Sequence, residues 1–248
     1  MRKFIKLSSL LIAFFYSFGL MAQTDSSLVV ANTDSSNFSF ELKADLVSRY
    51  VWRGMNLSES PSIQPTMSIA YKNLTFGTWG SYSFAKEQLQ EVDFFLSYES
   101  DYLKFTLNDY YNPFDSIGMN GDYFVLENSK TRHIIEGVFG IHDPKDIPIA
   151  VEFSMMFYGN DFNSKGERLF STYVEINYSG KFQNIEYKPF IGFTPSKSYY
   201  GEKAGIVNLG IIGTKKIKLK EEQEIPMSVG FILNPQKQNV YLVFGLCL

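Results

Sequence analysis

From Phe38 the chain alternates without a break. Phe38, Phe40, Leu42, Ala44, Leu46, Ser48, Tyr50 and Trp52 fall on one face, and Ser39, Glu41, Lys43, Asp45, Val47, Arg49, Val51 and Arg53 on the other. Strand side chains repeat every two residues, so this stretch predicts a strand running through Arg53, with one apolar, aromatic-ended face and one charged face. A soluble sandwich would bury the apolar face in its core. Here the opposite face carries five ionisable groups. That pattern suits a strand with lipid on one side and the polar lumen of a transmembrane β-barrel on the other.

The same alternation recurs in segments 62–71, 74–82, 91–99, 103–111, 132–141, 149–158, 169–178, 185–193, 205–219, 225–233 and 239–248. In the second strand, for example, Ile63, Met67, Ile69 and Tyr71 oppose Gln64, Thr66, Ser68 and Ala70. The expected fold is all-β: an antiparallel up-and-down barrel of about twelve strands, the even number that single-chain bacterial barrels have. Pro189, inside a strand, marks an edge-like or bulged site. Residues 123–127 are assigned to a loop extension, because another strand would make the total odd. The longer connections (55–61, 83–90, 112–131, 159–168, 194–204) then share one end, and the shorter ones (72–73, 100–102, 142–148, 179–184, 220–224) the other. Only 234–238 is a short loop at the long-loop end. Long external loops and short periplasmic turns are the asymmetry of such barrels.

Composition fixes the compartment. Arg2, Lys3 and Lys6 precede the apolar run 7–20, and Leu20-Met21-Ala22 ends it, as in a cleaved secretory signal peptide over 1–22. Residues 23–37 are rich in Ser, Thr, Asp and Asn and read as a flexible periplasmic leader ahead of a barrel over 38–248. Loss of the three basic residues changes the formal charge from −3 to −6, which offers no basic face to nucleic acid. No later stretch approaches the roughly 18 apolar residues of a membrane helix. Aromatic residues reach 17%, as an outer-membrane barrel with interfacial girdles requires. The single cysteine, Cys247, excludes an intramolecular disulfide and has lumen parity.

The run Asp45-Leu-Val-Ser-Arg-Tyr-Val-Trp-Arg-Gly54, then Ser58, Pro61 and Gln64, then Gly77-Thr-Trp79-Gly-Ser81 and Glu91-Val-Asp93, resembles the Gcw_chp or TorF-type family of proposed bacterial outer-membrane porins. The similarity is densest over the first third of the chain. It implies an outer-membrane barrel in contact with lipid and leaves the solute open.

Candidate functional residues follow from lumen parity. Asp45, Arg49, Arg53, Glu91, Asp93, Lys104, Glu152 and Glu175 would form a charge network or line a pore, together with Glu41, Lys43, Glu99, Glu136, Glu186 and Lys188. Rings of such charges set the field that a solute feels. In a small closed barrel they pair across the lumen instead, because an unpaired buried charge is costly. Arg49 and Arg53 are expected to be held by Asp45, Glu91 and Asp93. Trp79 and Tyr173 are the inward aromatics, placed to fill space or stack on a solute. No cofactor or metal is expected, nor catalysis. The only histidines, His133 at lipid-side parity and His142 in a turn, neighbour no serine in a recognisable motif. Two functions remain: a narrow channel for small solutes with a charged lumen, or a non-conducting structural barrel acting through its outer loops.

Overall fold

A computed structural model describes residues 37–85, 90–112, 122–128, 130–143, 147–220 and 223–248. The expected signal peptide, and all of the expected leader but its last residue, lie outside the described residues. The strands are β1 (Phe38–Val47), β2 (Tyr50–Trp52), β3 (Met55–Ser58), β4 (Ser62–Tyr71), β5 (Leu74–Ser83), β6 (Gln90–Glu99), β7 (Leu103–Tyr111), β8 (His133–Asp143), β9 (Ile147–Gly159), β10 (Thr172–Tyr178), β11 (Gly180–Phe182), β12 (Ile185–Thr194), β13 (Gly205–Lys220), β14 (Gln223–Asn234) and β15 (Asn239–Cys247).

All but β2 and β3 form one antiparallel sheet that closes on itself. Neighbours in sequence pair around the ring, β10 pairs with β12, and β1 pairs with β15. Strand β11 continues β10 past Ser179 along the same edge of β12, so the wall has twelve strands. Pro189 lies opposite that interruption, between Phe190, which pairs with Asn177, and Tyr187, which pairs with Gly180. Its missing N–H is placed where the ladder is already broken. Closure between β1 and β15 is short: Asp45–Cys247, Leu46–Leu246 and Val47–Gly245 are the only registered pairs, flanked by backbone bonds of Ala44 with Leu248 and of Ser48 with Phe244.

The period-2 pattern sorts the two faces. Phe40, Leu42, Met67, Ile69, Phe105, Phe153, Leu242 and Phe244 are exposed on the outside, while Gln64, Thr66, Ser68, Ser97 and Thr106 are buried inside. Small hydroxyls pair across strands within the barrel; the Thr106 hydroxyl donates to Ser97 Oγ at 3.1 Å, and the two residues are register partners. Residues 123–127 form no strand. Tyr123 packs on Tyr111 and His133 and closes over the outer side of the wall, so His133 is buried although its parity faces outward.

The first strand departs from expectation. The wall strand ends at Val47, and β2 and β3 form a separate hairpin. Tyr50 and Trp52, expected toward lipid, are 3% and 8% exposed and lie in the lumen. Pairing of β1 with both β4 and β15 ends at Val47. Alternation continues past Ser48, but the chain has turned inward.

Candidate functional site in the lumen

The inward hairpin is built by its tip. Arg53 and Gly54 both have positive φ, 47° and 76°, between the paired residues Trp52 and Met55. A two-residue hairpin turn of type I′ needs positive φ at both central positions, and glycine supplies one without strain. Gly54 is also pressed against the far wall: a Cβ there would stand 2.0 Å from the Val207 carbonyl oxygen. The Asn234 side-chain amide donates to the Gly54 carbonyl at 2.9 Å and fixes the tip to β14.

From that tip the Arg53 guanidinium meets Glu136 on β8 in a two-pronged pair, Nη1 to Oε1 at 2.5 Å and Nη2 to Oε2 at 3.0 Å. Glu136 is 0% exposed. Tyr110 donates to its Oε2 at 2.7 Å and Tyr200 to its Oε1 at 2.9 Å, and Arg53 also donates to the Tyr200 hydroxyl. Aromatic rings enclose the cation: its carbon lies 4.8 Å from the Trp52 ring centre, 4.7 Å from Tyr173 and 5.3 Å from Tyr200. Burial pushes the phenol of Tyr200, which comes from the connection 195–204, well above its ordinary value and keeps it a donor to Glu136. A buried pair of this kind is stable only when its remaining lone pairs and protons are satisfied, and this one nearly is. Arg53 Nε is the exception, with no partner among the described residues.

The hairpin fills the long-loop half of the barrel. Tyr50 packs on Trp79 with ring centres 5.5 Å apart, Trp52 packs edge-on against Tyr110, and Val51 joins Phe190, Ile232 and Tyr241. Beyond the tip, toward the short turns, the lumen opens into a cavity of about 300 Å³. The hairpin tip roofs it, and Glu152, Glu175 and Asn208 line it together with Phe190, Ile232 and Val243. Glu99, Lys104 and His142 carry it to the short-turn end of the wall.

No protein-family model matches the chain, and no curated protein matches it.

The expected site residues divide between these regions. Arg53 is central, but its partner is Glu136, with Glu152 Oε1 at 3.8 Å, rather than Asp45, Glu91 or Asp93. Arg49 is not in the wall. It pairs with Glu59 of its own connection at 3.2 Å and lies over the Tyr241 ring. The reason for both is the same turn inward after Val47, which carries the arginines away from the faces that β1 parity gave them. Glu91 and Asp93 are buried beside the hairpin with other partners, the Tyr50 hydroxyl for Glu91 and the Tyr111 N–H for Asp93. Lys104 bonds Glu99 at 3.1 Å near the short-turn end, and Asp45 lines the cavity beside Cys247. Glu175 accepts hydrogen bonds from the Tyr173 hydroxyl at 2.5 Å and from Asn208 at 3.3 Å. Trp79 and Tyr173 both fill space, Tyr173 directly beneath the guanidinium. Glu136 shared its parity signal with many acids, and Tyr110, Tyr200 and Asn208 carried none that singled them out. The sequence signal for the inward hairpin is Arg53-Gly54 itself, a turn dipeptide between two short apolar runs.

Proposed function

We propose that this chain is an outer-membrane barrel of the Gcw_chp or TorF type that does not conduct while its hairpin is seated. The reading rests on one observation: residues 50–58 occupy the lumen and are fixed there by the Arg53–Glu136 pair. Membrane residence is supported by the belt of exposed Phe, Leu, Ile and Met around the wall, a surface far larger than the apolar patches soluble monomers expose. The long loops would then face outward and the cavity the periplasm, as the turn asymmetry of such barrels implies. A second reading, a channel opened by withdrawal of the hairpin, draws on the short β1–β15 closure directly beside the hairpin's root. Conductance in planar bilayers tests the pair. The intact chain should be silent, and replacing residues 50–58 with a short Gly-Ser bridge should give a steady ohmic pore. Open-channel current from the intact chain would overturn the closed reading.

A further inference from the structure

The cavity has a charge pattern that its own walls do not balance. Lys104, Gly140, Glu152, Glu175, Gly192 and Asn208 are successive register partners, so they form one row across strands β7, β8, β9, β10, β12 and β13. Within the row two carboxylates, Glu152 and Glu175, stand directly opposite each other. Like charges so placed repel. Gly192 makes room for the Tyr173 ring, since a Cβ there would stand 2.1 Å from its hydroxyl. Four carboxylates (Asp45, Glu99, Glu152 and Glu175) are among the described lining residues, against Lys104, Lys188, His142 and an Arg53 matched by Glu136 and 3.8 Å from Glu152.

A second observation comes from hydrogen bonding. Asn208 is 6% exposed, and its Nδ2 donates to Tyr173 and Glu175, while its Oδ1 has no partner among the described residues. A buried acceptor left unmade costs free energy. It lies in the same row as the two carboxylates, at the wall of a space large enough for a small ligand. Beside this row, Val51, Phe190, Ile232 and Val243 give the same space an apolar lining.

We propose that this cavity binds a small organic amine, entered from the short-turn end, with its ammonium between Glu152, Glu175 and Asn208 Oδ1 and its apolar body against Phe190, Ile232 and Val243. A primary ammonium has three donors and meets three acceptors. An acceptor next to the amine, such as a hydroxyl, would meet the free Arg53 Nε–H. The proposal rests on the closed-lumen reading only in that the seated hairpin forms the roof.

The test uses the full chain folded in detergent and titrated calorimetrically with 2-phenylethylamine, 2-phenylethanol and 3-phenylpropionate. The amine should bind saturably and raise the melting temperature, with the alcohol and the carboxylate at least tenfold weaker. Replacing both acids (Glu152→Gln with Glu175→Gln) should weaken amine binding at least tenfold while heat-modifiable migration stays unchanged. Equal binding of alcohol and amine, or undiminished binding in the double variant, overturns the proposal, and the wild-type comparison stands without any variant. A silent bilayer with no amine binding sinks the site alone. A conducting wild type that still prefers the amine sinks the closed lumen and supports the site.

Discussion

The two halves of the lumen use the same residue types to different ends. In the long-loop half one arginine meets Glu136 squarely, and two tyrosine hydroxyls and three rings complete its shell. In the short-turn half, Glu152 and Glu175 face each other across a ladder and Asn208 Oδ1 is unmatched. Inward parity is therefore a statement about polarity and not about role. An inserted segment converts charge into a packed and nearly satisfied network around Glu136; without one, the same wall leaves a cavity with acid to spare.

The sharpest way to break this contrast is to remove the cation. Arg53→Ala leaves Glu136 buried and unpaired beneath Tyr200, and loss of one partner of a buried pair costs about 3–5 kcal/mol. We predict a marked fall in the melting temperature in detergent, partly recovered by adding Glu136→Gln. A melting temperature unchanged within a degree would mean the hairpin is seated by its apolar contacts alone.

The outer wall should ignore the contrast. Phe94 and Phe153 both face outward, Phe153 next in sequence to the cavity acid Glu152. Arginine at either position should cost about 2–4 kcal/mol near the bilayer midplane. Assembly yields in lipid vesicles that differ widely between the two variants would show that lumen filling reaches through the wall.

How much of this was legible follows from the same physics. Alternation places the wall strands from β4 onward to within three residues, because a strand with unlike surroundings on its two faces must repeat every two residues. The exceptions are β11, which falls in the expected turn 179–184, and 169–171, which precede β10 rather than belong to it. The same regularity carries the expected first strand past its end: Tyr50, Val51 and Trp52 alternate too, though Trp52 packs inward on Tyr200. Arg53-Gly54 is a turn dipeptide between two short apolar runs, so turn chemistry points to a hairpin where periodicity points to a longer strand. Glu136 could not be told from other inward acids, because its partner arrives from 83 residues away. Tyr200 sits in an aperiodic connection, where no pattern announces an inward side chain.

A smaller effect is expected at the tip. Gly54→Ala forces a Cβ against the Val207 carbonyl and a side chain into a left-handed conformation, which costs about 1–3 kcal/mol in backbone strain. The hairpin should loosen without the barrel unfolding. Flickering conductance, with a red shift in tryptophan emission as Trp52 leaves its rings, is the expected signature. A silent bilayer and unshifted emission would show that the Gly54 contact is not what seats the hairpin.

The smallest effect has the opposite sign. Glu175→Gln removes one of two like charges facing each other across β9 and β10, a repulsion worth about 0.2–1 kcal/mol. The amide oxygen still accepts from the Tyr173 hydroxyl, which Glu175 Oε2 now does at 2.5 Å, so the bond that holds the ring is kept. With the repulsion gone and the hydrogen bond retained, the protein without ligand should melt at the same temperature or slightly higher. Salt separates this from a packing effect: screening weakens the repulsion in the wild type, so its deficit against the variant should shrink as ionic strength rises. A loss of 2 kcal/mol or more in chemical denaturation would instead place Glu175 inside the satisfied network around Arg53. The two halves of the lumen would then be one.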